Sequence, residues 1–285
     1  MFDLESLKRP TTPEEAVREL LETEGTGMYL AGGTILVPTG SPSLDFLVDL
    51  TRLGLDHIAT GPAGSGEALT IGAMVRMSDL VESDALSGTA LGAIRDAART
   101  VGTHTVRNRA SVGGNIFAAH FPSDLPPVFL ALGATIRLQG VDGPRDVPLE
   151  DFYSRRPEVY RRGDLVVEVV VPKGHERFST AFEKTGRTRV DVAIVNCAAA
   201  VAMDGGVIAE ARVVLNGVSP TPFVVSDAGA FLAGKAPSDD VFREVGRLVA
   251  DGVSPRGDHR AGSDYRRKLA GVLATRAVSR AARQA

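Results

Sequence analysis

Apolar positions along this chain follow two rhythms, and the change between them outlines its architecture. The opening Thr12-Pro13-Glu14-Glu15 followed by Ala16, Leu20 and Leu21 reads as a helix. Thr12 suits the cap, Pro13 the first turn, and Glu15 the return arm of a capping box. Met28-Tyr29-Leu30 and residues 47–50 then read as short buried strands, a β-α-β-type opening. Residues 69–73, 134–138 and 165–171 are strand-like, the last rich in Val and stopped by Pro172. Between them Ser78 is placed to cap a short helix, and residues 89–100 suit a longer one. Ser123 is placed to cap a further helix that runs to Leu132 and stops at Gly133. Farther on, residues 192–203 and 211–215 flank Asp204-Gly205-Gly206, a hairpin signal, and helices follow over 238–251 and 264–282. Strands followed by helices predict an α+β fold, with a boundary between Pro172 and Phe178.

Composition narrows the function. With 285 residues, 44% of them hydrophobic, the chain suits two domains or one large one. A net charge of −3 gives no general attraction to nucleic acid or an anionic membrane, and the absence of Trp leaves little for stacking bases. Cys197 is the one cysteine, so this chain alone can build neither a disulfide nor an iron–sulfur or thiolate zinc site. Within its apolar stretch Cys197 reads as a small buried hydrophobe. The five histidines show no metal-ligand spacing. The 192–203 stretch, interrupted by Asn196, is well short of the ~20 residues that span a bilayer. Met1 to Glu5 lack the apolar core of a signal peptide, which points to the cytoplasm.

Two glycine loops carry the candidate chemistry: Ala31-Gly32-Gly33-Thr34, and Ser111-Val112-Gly113-Gly114-Asn115. Gly-Gly lets backbone N–H groups approach a pyrophosphate with no Cβ in the way, and Thr34 and Ser111 add hydroxyls. If Thr34 opens a helix, its dipole adds to the attraction. Neither loop matches the G-x-G-x-x-G fingerprint or a P-loop, and a Gly-Gly after a strand is also an ordinary turn. On the residues alone, both readings stand.

Five ordered segments carry a resemblance: Ala31-Gly32-Gly33-Thr34, Arg107 to Asn115, Ser123-Asp124-Leu125-Pro126-Pro127, Phe182-Glu183-Lys184 and Tyr265-Arg266-Arg267-Lys268-Leu269-Ala270. Together, over essentially the whole chain, they resemble the FAD-binding subunit of the xanthine dehydrogenase and carbon monoxide dehydrogenase family. The resemblance implies a two-part FAD-binding domain of the PCMH type over 1–175, divided near 55. A smaller α+β domain with an antiparallel sheet and helices would occupy 176–285. It further implies that Ala31, Gly32, Gly33, Thr34 and Ile35 wrap the diphosphate. Ser111, Val112, Gly113, Gly114 and Asn115 would form a second phosphate loop. Asp124 would lie by the ribose and diphosphate, and Lys184 by the flavin. Val101 and Val166 would pack on the cofactor, and Asp191 and Val192 would line the isoalloxazine. Ile35 replaces a more polar residue common in the family, and Val192 is smaller than its counterpart in some relatives. Each residue also has a local reading: Asp124 as a first-turn acid, Lys184 as a solvated cation, the valines as core.

The function so implied is electron transfer. Organic substrate would be hydroxylated on a large molybdenum-cofactor subunit, and a small subunit with [2Fe–2S] clusters would pass electrons to FAD here, in a heterotrimer that is single or doubled. FAD would deliver them to an external acceptor. His104 and His120 flank the second loop as further candidates. The alternatives are a self-sufficient FAD-dependent oxidase or reductase, and a regulatory subunit that has lost its flavin.

Overall fold

The computed structural model describes residues 4–40, 43–62, 67–118 and 122–285, arranged around three sheets. The first helix starts as its sequence dictates. The Thr12 hydroxyl accepts the Glu15 amide at 3.1 Å, and the Glu15 carboxylate accepts the Thr11 amide at 2.8 Å. This helix, α1 (Pro13–Glu22), buries Ala16 and Val17. They pack on a parallel sheet of β1 (Ser6–Lys8), β2 (Gly27–Leu30) and β3 (Phe46–Asp49) in the order β1-β3-β2. The core here is Ala16, Val17, Phe46, Val48 and Leu50. The expected β-α-β opening is present, extended by the unpredicted β1. The one-turn helix α2 (Leu36–Thr39) lies between β2 and β3.

The second sheet is antiparallel throughout. Its strands are β4 (Ile58–Pro62), β5 (Glu67–Gly72), β6 (Thr135–Gly140), β7 (Gly143–Pro148) and β8 (Leu165–Val171), in the order β4-β5-β8-β6-β7. Between β5 and β6 the chain inserts α3 (Met77–Glu82), α4 (Gly92–Thr100), α5 (His104–Arg107), α6 (Val112–Phe117) and α7 (Leu125–Ala131). α8 (Leu149–Ser154) and α9 (Arg156–Val159) follow β7. Leu69, Ile71, Ile94, Phe129, Ile136 and Val169 are fully buried between sheet and helices.

Two expected caps are corrected. Ser78 lies inside α3, which starts instead where the Asp79 carboxylate accepts the Arg76 amide at 3.1 Å. Ser123 does not cap α7: the cap position is Asp124, whose carboxylate is drawn into a buried cluster described below. Gly133, at φ +67°, ends α7 as expected.

The third sheet is also antiparallel. It orders β12 (Phe223–Val224), β11 (Val207–Asn216), β10 (Val195–Asp204) and β9 (Ser179–Thr185), and is covered by α10 (Ser226–Leu232), α11 (Asp239–Gly252) and α12 (Ser263–Gln284). β10 and β11 are joined through Gly205 and Gly206, at φ +55° and +83°, as the hairpin signal requires. Their strand β10 lacks the alternation of a half-buried strand because both its faces are covered. Val195, Cys197, Ala199 and Val201 face α12, in a core shared with α11, whereas Ala198, Ala200 and Ala202 pack into the core of the second sheet. The expected strand over 192–203 therefore shortens, and residues 192–194 belong to the loop before it. Among the described residues no helix is long and apolar enough to cross a membrane, and no cluster of acids, Cys and His suits a metal.

Candidate functional site

The first glycine loop leaves β2 after Leu30. Gly33 turns it with φ +71°, and its carbonyl accepts the Val37 amide at 3.0 Å. Thr34 does not open the helix: α2 begins at Leu36, with Ile35 at the cap position and no side-chain cap. Among the described residues, the amides of Gly32, Gly33, Thr34 and Ile35 donate to no protein acceptor. Ala31 to Thr34 are partly buried, and Ile35 is 41% exposed. A run of unspent backbone donors in a partly buried turn is what an anion requires.

Gly32 is glycine for a different reason. A Cβ there would lie 1.8 Å from the Arg109 carbonyl oxygen. The first loop thus rests directly on the backbone that leads into the second, so the fold unites two segments far apart in sequence. Arg107 stiffens that approach by donating to the carbonyls of Gly102 at 2.8 Å and Arg99 at 3.3 Å, at the end of α4.

The second loop is built differently from its sequence reading. Its amides are spent on protein: Val112 to Val75 at 2.9 Å, Gly113 to Ala73 at 2.8 Å, Asn115 to Ser111 at 3.0 Å. Ser111 is 3% exposed, and its hydroxyl accepts the Gly114 amide at 3.3 Å, capping α6. The cause is packing. Val112 and Gly113 dock on the segment after β5, and a Cβ on Gly113 would meet that of Ala73 at 2.8 Å. Gly114, by contrast, is exposed, and among the described residues a Cβ there would meet the Ser111 hydroxyl alone, at 3.1 Å. Asn115 is turned inward by the Leu125 amide, which its side chain accepts at 3.2 Å.

Asp124 and Lys184 meet each other. The Lys184 ammonium donates to the Asp124 carboxylate at 2.6 Å and to the Thr100 carbonyl at 2.9 Å. The Thr100 hydroxyl at 2.9 Å and the Asn196 amide at 2.8 Å donate to the same carboxylate. Burial pushes the Asp124 carboxyl up, and Lys184, Asn196 and Thr100 pull against that rise. Asn196 and Asn216 each donate to the Ser123 carbonyl at 3.1 Å, while Asn196 Oδ1 has no partner among the described residues. The cluster fastens α4 and α7 to one face of the third sheet. Thr180, two residues before Phe182 on that face, adds bonds to the Thr89 and Ala90 carbonyls at 3.1 and 2.9 Å. Thr100, Asn196 and Asn216 were not singled out by sequence reading; the one signal was a lone Asn interrupting an apolar stretch.

The remaining candidates are dispersed. Val101 is partly buried at the end of α4, and Val166 is buried in β8. Asp191 and Val192 lie in the loop between β9 and β10, Asp191 held by Arg187 Nε at 3.3 Å and Val192 40% exposed. His104 is exposed on α5, with Asn108 at 3.4 Å. His120 lies outside the described residues. Cys197 is fully buried, and burial pushes its thiol up, which fits a packing residue.

Comparison with known proteins adds to this geometry. Residues 2–174 match the model of the FAD binding domain in molybdopterin dehydrogenase, and residues 180–281 that of the CO dehydrogenase flavoprotein C-terminal domain. The glyceraldehyde dehydrogenase medium chain of Sulfolobus acidocaldarius is 31% identical over 97% of this chain and 98% of its own. The carbon monoxide dehydrogenase medium chain of Afipia carboxidovorans is 31% identical over 96% and 95%. The xanthine dehydrogenase FAD-binding subunit of Escherichia coli O157:H7 is 27% identical over 99% and 97%. Among solved structures, a chain of the Cu,Mo-CO dehydrogenase superposes with a TM-score of 0.90 at 29% identity, covering 100% of both chains. One of quinoline 2-oxidoreductase from Pseudomonas putida 86 gives 0.86 at 26%, covering 98% and 96%.

Proposed function

Because this chain belongs to the FAD-binding subunit family of the molybdopterin dehydrogenases, we propose that it relays electrons from [2Fe–2S] clusters on a small partner subunit to an external acceptor. A large molybdenum-cofactor subunit would carry out the hydroxylation of substrate. The observation that carries the site is the first glycine loop: four adjacent backbone donors without acceptors among the described residues, pressed against the Arg109 backbone. Such a cradle fits a diphosphate. When bound, FAD supplies a store for two electrons that can be filled one at a time.

This chain's residues bind and orient. Ala31 to Ile35 would hold the diphosphate by their amides. Ser111 to Asn115 would form the facing wall, rigid because its own amides are spent and open where Gly114 carries no side chain. Val101 and Val166 would give apolar support. Asp191 and Val192 would line the isoalloxazine, with Val192 presenting a small side chain there. Asp124 and Lys184, spent on each other, would hold the α4–α7 wall against the third sheet. A single buried cysteine leaves the clusters to another chain and suits a cytoplasmic protein.

The test is the visible absorption spectrum of the purified full chain after incubation with FAD and desalting, followed by assay with organic substrates. Retained flavin bands without substrate oxidation are expected. Turnover of an organic substrate by the chain alone would favour the self-sufficient oxidase or reductase, and absence of flavin even in the co-expressed assembly would overturn the cofactor assignment.

A further inference from the structure

Arg266 is a buried cation that the cofactor site does not use. It lies in the first turns of α12 and is 5% exposed. Its Nη1 donates to the carbonyl oxygens of Ile194 at 2.6 Å and Gly217 at 2.9 Å, and its Nη2 to Asp258 Oδ1 at 2.7 Å. Its Nε has no acceptor among the described residues. An unpartnered buried donor costs stability, so packing alone gives no reason for a guanidinium here. Asp258 is itself fixed, since Oδ1 also accepts the amides of Arg260 at 2.8 Å and Ala261 at 3.1 Å.

The two carbonyls mark the ends of a hairpin. Ile194 is the last residue before β10, and its amide closes on the Thr185 carbonyl at 2.7 Å. Gly217 follows β11 at φ +87°, and a Cβ there would lie 2.5 Å from the Ile194 oxygen. Arg266 therefore grips the root of the loop over residues 186–194. The rest of that loop is weakly tied. The Arg187–Asp191 contact is 3.3 Å and the Asp191 amide reaches the Thr188 carbonyl at 3.4 Å, while Val190 and Val192 are 45% and 40% exposed. The planar fork of Arg reaches divergent acceptors in one fixed geometry, which the single ammonium of Lys does not.

We propose that Arg266, held by Asp258, is a positioning residue that fixes the pose of the 186–194 loop and thereby how open the isoalloxazine edge is to solvent and electron acceptor. The second half rests on the placement of Asp191 and Val192 beside the flavin proposed above.

The experiment uses the FAD-loaded full chain and its Arg266→Lys and Asp258→Asn variants. Brief trypsin digestion with mass spectrometry reads cleavage after Arg187 and Arg189, which are exposed in the loop. Iodide quenching of flavin emission reads access to the ring, and thermal unfolding by circular dichroism reads the fold. Loop cleavage about tenfold faster is expected for Arg266→Lys, the change for losing one hydrogen bond to a charged group. Asp258→Asn, which keeps both carbonyl contacts, should give a smaller increase, and quenching should rise in the same order. Unchanged cleavage in both variants, with either one folded, overturns the clamp whatever the flavin's place. Faster cleavage with unchanged quenching keeps the grip on the loop but overturns its link to the flavin, and with it the placement of Asp191 and Val192.

Discussion

Replacing Lys184 with Met tests whether the junction between the helices and the third sheet is held electrostatically. The Lys184 and Asp124 side chains are 7% and 5% exposed, and the pair is 2.6 Å apart. Removing one partner of a buried pair costs about 3–5 kcal/mol, because the other charge is left uncompensated. Thr100 and Asn196 still donate to Asp124 at 2.9 and 2.8 Å, which places Lys184→Met at the lower end, about 3 kcal/mol. The penalty should depend on pH. Without Lys184, the folded carboxyl titrates above its unfolded value of about 3.9. Such a group costs nothing below that value and progressively more as pH rises towards the folded one. The variant should therefore be closer to wild type at pH 5 than at pH 8. Urea unfolding followed by far-ultraviolet circular dichroism suits a chain without Trp. The cycle with Asp124→Asn should yield a coupling of about 1.5 kcal/mol or more. A Lys184→Met cost under about 1 kcal/mol at pH 8, or additive singles, would show the pair to be solvated like a surface ion pair and would refute the argument.

The glycine loops separate packing from cofactor contact. Gly32→Ala, with no room against the Arg109 carbonyl, should cost about 3 kcal/mol and abolish FAD retention after desalting. Gly113→Ala, against Ala73, should lower stability by about 1–3 kcal/mol. Gly114→Ala should keep stability within about 1 kcal/mol yet weaken FAD retention; full retention would reduce the second loop to a packing element. Asp258 sets an acid-side prediction. Desolvation works to raise its carboxyl, but the Arg260 and Ala261 amides and the Arg266 guanidinium outweigh it and hold the carboxyl down at about 2. Its stabilising contribution is therefore present above the unfolded value of about 3.9 and lost as pH falls through that interval, so Asp258→Asn should flatten the acid unfolding curve there.

Periodicity made the main elements legible: β8, the β10–β11 hairpin and α11 stand where the pattern put them, within a residue or a few, and the structure adds Ser238 as the α11 cap. The short or polar strands β1, β4 and β7 were not legible, because their order comes from partners distant in sequence. Local rules failed where tertiary contacts took over a side chain. Ser123 looks like a cap, but the chain around it is claimed by Asn196 and Asn216, and Asp124 turns to Lys184 rather than to its own helix. The glycine loops were recognisable as a pair; their division of labour was not. Only the backbone shows that the amides of one are unspent among the described residues and those of the other are committed to Ala73 and Val75.

The double-sided burial of β10 also bears on how the chain comes into being. Ser123 waits for Asn216, 93 positions later, and at roughly 5–20 residues per second a ribosome takes on the order of 5–20 s to deliver it. During that interval α4 and α7 stand without the sheet that Phe182, Ala198, Ala200 and Val214 will press against them. The N-terminal portion is thus a nascent fold with an unclosed side, and completion of the last hairpin is the event that seals it.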